Sequence, residues 1–202
     1  MKHALVVDCE FLTAEGSPSR FWCGPFDPDP VVAQIGVVKI GLEPDFPMLD
    51  TLRICVLPHD RNGNRFALDP FFTTLTRISQ SDMDREGLPL VQALEKVKDF
   101  AAGGRLWSWG KDEFNMMAIS CYVEGLVPPI PATRFGNACH LLLQAGIPHE
   151  DIKKTHSNRL AAYFHIDHPP LRAHDALDDA LSVAYVLQYL LERKLLKPSD
   201  LQ

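Results

Sequence analysis

Residues 5–11 read Leu-Val-Val-Asp-Cys-Glu-Phe. Leu5, Val6 and Val7 are the types that fill a buried strand, and two carboxylates follow at Asp8 and Glu10. Side chains on a strand alternate faces, so Asp8 and Glu10 project to one side, about 7 Å apart along the strand. Like charges at the end of an apolar strand repel and resist desolvation unless a cation lies between them. The pair is therefore either a solvated strand end or half of a metal site. D-x-E alone does not decide, and the other acids must.

Three of them, Asp175, Asp178 and Asp179, open a stretch with helical periodicity from about Asp175 to Lys194. At about 100° per residue one apolar stripe is Leu177, Ala180, Leu181, Ala184, Leu187 and Leu191, and a second is Val183, Val186 and Leu190. Asp179 heads the second stripe and is expected to point inward. Asp178 lines up with Ser182, Tyr185, Tyr189 and Glu192 and is expected in solvent, with Asp175 in the cap region, where an acid meets the helix dipole favourably. Asp112 begins another helical stretch in register with Met116, Ile119 and Val123, so it is expected on the core side, as a cap or as a ligand, with Glu113 turned about 100° away. His174 sits five residues before Asp179, where the chain enters the long helix; the other seven histidines carry no such pattern.

The elements that must position these residues follow from the same periodicities. After the first strand, 13–30 is a Pro-, Gly- and Ser-rich loop carrying Arg20, Phe21, Trp22 and Phe26, and loops of this length are commonly functional. Its aromatics either stack on bases or pin the loop to the core. Residues 31–42 and 49–57 read as two further strands, so the first three form an antiparallel meander. Helices are expected over 68–78 and 88–100, a fourth strand over 105–109, and helices over 112–124, 133–145 and 157–165 before the long one. The expected fold class is α/β with a mixed sheet flanked by helices, in a single domain spanning 1–202.

Composition narrows the function. No apolar run reaches the length of a membrane span and no signal-peptide pattern opens the chain, so a cytoplasmic protein is expected. Five scattered cysteines without C-x-x-C fit reduced thiols and argue against a zinc site. A net charge of −6 disfavours a protein that coats a duplex, but not an enzyme that grips a chain end through bound cations.

Taken together, Asp8-Cys9-Glu10, Asp112 and His174-x4-Asp179 resemble the DEDDh family of 3′–5′ exonucleases, which have an RNase H-like fold. Glu10-Phe11, Leu75-Thr76-x-Ile78 and Ser108-Trp109-Gly110 look most like the Eri-type and KapD-like exoribonuclease branch. The tyrosine-type relatives would have Tyr where this chain has Asp175. Two positions depart from the pattern: Phe11 stands where many relatives have Thr, and Arg77 replaces the glycine of Leu-Thr-Gly-Ile.

The resemblance implies hydrolysis from the 3′ end of single-stranded RNA or DNA, RNA favoured, with release of nucleoside 5′-monophosphates. It implies two divalent ions, Mg²⁺ with Mn²⁺ able to substitute, since hard oxygen ligands suit these metals. Asp8, Glu10 and Asp179 would hold the metal pair, with Asp8 as the bridge and Asp112 on the second ion. His174 would be the general base, and Phe11, Leu12 and Thr76 would line the terminal nucleotide pocket. The alternatives are a DNA-directed exonuclease on the same fold and a catalytically weak nucleic-acid-binding module. A phosphatase with an aspartyl nucleophile is disfavoured, because it would want D-x-D before Thr or Val. No residue pattern points to a protein partner.

Overall fold

The computed structural model describes residues 2–202. Among these residues five strands form one mixed sheet in the order β3-β2-β1-β4-β5. β1 (His3–Phe11) is central, with β2 (Val32–Gly41) antiparallel on one side and β4 (Leu106–Ser108) parallel on the other. β3 (Met48–Cys55) completes the expected meander. β5 (Phe135–Asn137), parallel to β4, lies where the periodicity predicted helix from residue 133. That helix starts only at Ala138, because the Asn137 side chain caps it by accepting from the Cys139 N–H at 2.8 Å.

The helices are α1 (Pro70–Thr76), α2 (Gln80–Glu86), α3 (Leu90–Ala101), α4 (Asp112–Val123), α5 (Ala138–Gln144), α6 (His149–Ile152), α7 (Leu160–Tyr163) and α8 (Ala176–Glu192). α2 and α6 were not anticipated, and the stretch expected as one helix over 157–165 is a 3₁₀ turn, Ser157–Arg159, followed by the single turn of α7. Among the described residues no helix is long and apolar enough to cross a membrane, and all five cysteines are free thiols.

Strand alternation sorts β1 into two faces. Ala4 and Val6 pack with Val38, Ile40 and the α8 residues Ala180, Val183, Ala184 and Leu187. Leu5, Val7 and Cys9 pack with α3 and with Met116, Met117 and Cys121 of α4. Asp8 and Glu10 continue the α8 face beyond the apolar part of the strand. The β1–β2 register shifts between Glu10 and Phe11, a bulge of the kind that re-aims side chains beside functional sites.

Two residues of β2 seat α8 against that end of β1. Gly36, paired with Asp8, lies so close to the helix that a Cβ there would meet the Ala176 carbonyl carbon and the Leu177 nitrogen at 2.2 Å. Gln34, paired with Glu10 and buried, accepts the Ala176 N–H through its side-chain oxygen at 2.9 Å. The missing side chain permits the approach, and the amide satisfies one of the first-turn donors the helix leaves open.

Candidate active site

The α8 docking brings Asp179 beside Glu10. Ring or carboxylate atoms of Glu10, His174 and Asp179 all lie within 4.8 Å of one another. Asp8 and Glu10 are buried, as is Asp179, in agreement with the helical-face expectation. Asp175 is the α8 N-cap, accepting from the Leu177 and Asp178 N–H groups. It is itself held by Arg53 of β3 at 2.6 Å and by Arg172. His174 adopts a left-handed φ of 59°, and its backbone N–H donates to Asp179 Oδ2 at 3.2 Å.

The second helix departs from expectation. Asp112 is exposed and Glu113 is the buried acid, 5% accessible. Both line the cavity that holds Asp8, Glu10, His174 and Asp179, but only Glu113 is withdrawn from water. Its proximity to Asp8 raises the Asp8 pKa. The helical register placed Asp112 over the core because Met116 is there. The buried face of α4, however, runs through Glu113, Met116, Met117, Ser120 and Cys121, while Ile119 and Val123 are only half-buried, so Glu113 is the acid in register with the core.

Four carboxylates thus share one desolvated space, and their titration reflects it. Asp8 is pushed well above the usual carboxylate range, first by burial and then by Glu113 and Asp179. Burial followed by Asp179 drives Glu10 to about 8. Burial is also the main cause for Glu113, at about 7, and for Asp179, at about 7, where the His174 N–H pulls in the opposite direction. Glu113 Oε2 and Asp179 Oδ1 are buried with no hydrogen-bond partner. Orphaned carboxylate oxygens and mutually repelling acids are what a divalent cation would relieve, so the donor set fits hard metals. Burial lowers the His174 pKa, which keeps its imidazole neutral near pH 7.

The nucleotide-pocket expectations divide. Phe11 lines the cavity of about 620 Å³ together with Trp22, Trp109 and Leu75. Leu12 does not: it is buried in a separate cluster with Phe72, Ile78 and Met83. Thr76 does not either, being 1% exposed with its hydroxyl donating to the Phe72 carbonyl and accepting from the Ile78 N–H. Its neighbour Leu75 faces the cavity instead. Arg77 is the left-handed cap of α1, with φ 62°, a conformation that favours the glycine of the related pattern.

Asp178 is only partly exposed, accepting from the Arg172 N–H at 2.8 Å and from Arg53 at 3.4 Å, so the expectation of a solvated side chain is corrected. Ser182 on the same face is buried, its hydroxyl accepting from the Ala161 N–H.

In the 13–30 loop Trp22 is fixed, its indole N–H donating to the Leu12 carbonyl at 3.0 Å and its ring edge-on to Phe11 at 5.5 Å. Arg20 is clasped by Asp27 at 2.6 Å, while Phe21 and Phe26 are 82% and 94% exposed. The cavity wall at His156, Ser157, Asn158 and Arg159 carried no sequence signal, since only tertiary packing brings that turn to the acids.

No protein-family model matches the chain, and no curated protein matches its sequence. Solved structures do match. The nuclease domain of 3′hExo, a DEDDh family member bound to rAMP, superposes with a TM-score of 0.75 at 22% identity, over 95% of this chain and 92% of that one. Cell-death related nuclease 4 (CRN-4) gives 0.71 at 16% identity over 95% and 64%. The zinc-ion-bound E. coli ExoI–ssDNA complex gives 0.62 at 14% over 96% and 41%, so this chain spans less than half of that structure. The chain therefore has the RNase H-like fold of DEDDh 3′ exonuclease structures.

Proposed function

We propose that this sequence forms one metal-dependent 3′–5′ exonuclease domain of the DEDDh type, releasing nucleoside 5′-monophosphates from single-stranded nucleic acid, RNA favoured. The observation that carries this reading is the convergence of Asp8, Glu10, Glu113 and Asp179 with His174 on one cavity, with two carboxylate oxygens left unpartnered. A fold shared with the rAMP-bound 3′hExo nuclease domain supports it, and the RNA preference leans on that same likeness.

Asp8, Glu10 and Asp179 would hold two divalent ions, Mg²⁺ or Mn²⁺, and Glu113 takes the place first assigned to Asp112. When bound, such ions would supply charge stabilisation for the pentacoordinate transition state and the leaving oxygen. The protein residues do the rest. His174, neutral and beside Glu10 and Asp179, accepts a proton from the attacking water, a role worth roughly 10²–10⁴-fold. The hydrogen bond from its own N–H to Asp179, together with the Asp175 cap, fixes the backbone that carries the ring. Phe11 and Trp22 offer an aromatic wall for the terminal base.

The test is degradation of matched 5′-labelled single-stranded RNA and DNA with Mg²⁺ and with chelator. Stepwise shortening from the 3′ end that requires the metal is the expected result. Faster loss of DNA would move the substrate to the DNA-directed alternative, and binding without cleavage would favour the weak-module alternative.

A further inference from the structure

One wall of the cavity has no role in the chemistry above, and what it does rests on the nucleic-acid reading just given. That wall is His156 with the turn Ser157–Arg159. The turn is fixed relative to Asp179, because α7 follows it directly and the Ala161 N–H donates to the hydroxyl of Ser182 on α8 at 3.1 Å. Within the turn the side chains are graded by depth. Ser157 faces Asp8, its hydroxyl lowering the Asp8 pKa against the effect of burial. Asn158 keeps a buried side-chain oxygen without a partner, while His156 and Arg159 are exposed at the rim.

Three nearby arginines are engaged. Arg20 is held by Asp27, Arg53 by Asp175 and Asp178, and Arg172 by Asp175. Arg159 makes no ion pair among the described residues, although it lines a cavity floored by four carboxylates. An unpaired exposed arginine is ordinary in itself. This one stands at the mouth of a site that takes a polyanion, on a chain whose net charge of −6 otherwise repels that ligand.

A strand with its scissile phosphodiester at the acids carries its next phosphate outward, toward the rim. We propose that Arg159 grips that next phosphodiester, on the 5′ side of the bond cleaved, and so makes the site prefer chains over mononucleotides. A guanidinium suits the task because its fork matches two phosphate oxygens at once.

The test compares the affinities of a 5′-mononucleotide and of a non-hydrolysable trinucleotide, the shortest chain with a phosphodiester on the 5′ side of the bond cleaved, with Mg²⁺, for the unaltered protein, Arg159→Ala, Arg159→Lys and the remote control Arg85→Ala. The unaltered protein should bind the trinucleotide more tightly. Arg159→Ala should narrow that gap, with roughly a 10-fold or greater loss on the trinucleotide alone. On a longer non-hydrolysable single strand, the slope of log affinity against log salt should shrink by about 0.7 in Arg159→Ala, the value for one phosphate contact. Arg159→Lys should keep the slope, and Arg85→Ala should change nothing.

Equal losses on both ligands would place Arg159 at the terminal phosphate and overturn the proposal, as would an unchanged gap and slope. An unaltered protein that binds neither ligand would remove the nucleic-acid reading itself, a result distinct from either.

Discussion

The tightest contact in the site's framework involves a residue with no side chain, and Gly36→Ala tests it. The added Cβ would stand 2.2 Å from the Ala176 carbonyl carbon and the Leu177 nitrogen, where ordinary van der Waals contact begins at 3.4 Å. Backbone cannot rotate aside as a flexible side chain can, so the first turn of α8 must retreat by about 1 Å. Two consequences follow. Overpacking of this kind costs typically about 1–3 kcal/mol, which for a chain of this size is a fall in Tm of roughly 2–12 °C. The same retreat carries Asp179 and His174 away from Asp8 and Glu10, and a misplacement of about 1 Å in catalytic geometry is worth on the order of 10²-fold in rate.

The assay is thermal melting together with kcat on a labelled oligonucleotide well below the Tm. Leu94→Ala is the comparator. It opens a cavity in the core beneath α3, remote from α8, and should cost more stability, about 2–5 kcal/mol, while leaving kcat of the folded protein within a few-fold. Wild-type kcat in a folded Gly36→Ala, or an equal loss of kcat in Leu94→Ala, would refute the docking argument.

Three further outcomes are expected. Glu113→Gln should lower kcat by at least about 10²-fold and weaken metal binding measured by calorimetry, with Asp112→Asn within a few-fold of wild type; the reverse order would return the ligand role to Asp112. In the metal-free protein, the folded pKa values of Glu10, Glu113 and Asp179, about 8, 7 and 7, lie above their ordinary 4.5, 4.5 and 3.8. Their contribution to stability is therefore full below about pH 4 and lost as pH rises through 7 to 8. Tm in chelator should fall over that window and recover with Mg²⁺ or Mn²⁺, and a flat metal-free profile would contradict the geometry. His174→Ala should lose roughly 10²–10⁴-fold in turnover with metal affinity nearly intact, whereas a collapse of metal affinity would make the imidazole a ligand instead of the base.

What was legible in the sequence depended on how far each signal had to reach. Asp8 and Glu10 were readable because strand alternation is a property of adjacent residues. Asp179 was readable because α8 is long enough for its apolar stripes to define an inward direction. Glu113 was not, because the stripe Met116, Ile119 and Val123 points to Asp112, whereas the buried face of α4 is centred on Met117, Ser120 and Cys121, with Glu113 in register. Asp178 misled for a different reason. Its helix face is polar, but Arg53 arrives from β3 and Arg172 from the preceding loop, and no helical projection contains them. Thr76 and Leu12 were assigned by position in a pattern. In the structure the threonine hydroxyl is consumed within its own turn, a local competition typical of Ser and Thr near helix ends.

Gly36 and Gln34 show the limit most sharply. Within Ala33-Gln34-Ile35-Gly36-Val37, a glycine weakens a strand and a buried amide is costly, so locally both look like defects. Both make sense only once the first turn of α8 rests on them. Four acids cannot be gathered in a desolvated space by attraction: after burial, Glu113, Asp179 and Glu10 raise the pKa of Asp8, and Asp179 and Glu113 raise that of Glu10. They must be held there by contacts that are favourable elsewhere. The Gly36 approach, the Gln34 anchor, the Asp175 cap with its two arginines, and the apolar stripes of α8 on Val6, Val38 and Ile40 supply that hold. The site is thus destabilising by itself and fixed by its surroundings, which is the condition under which a bound cation can contribute both binding and order.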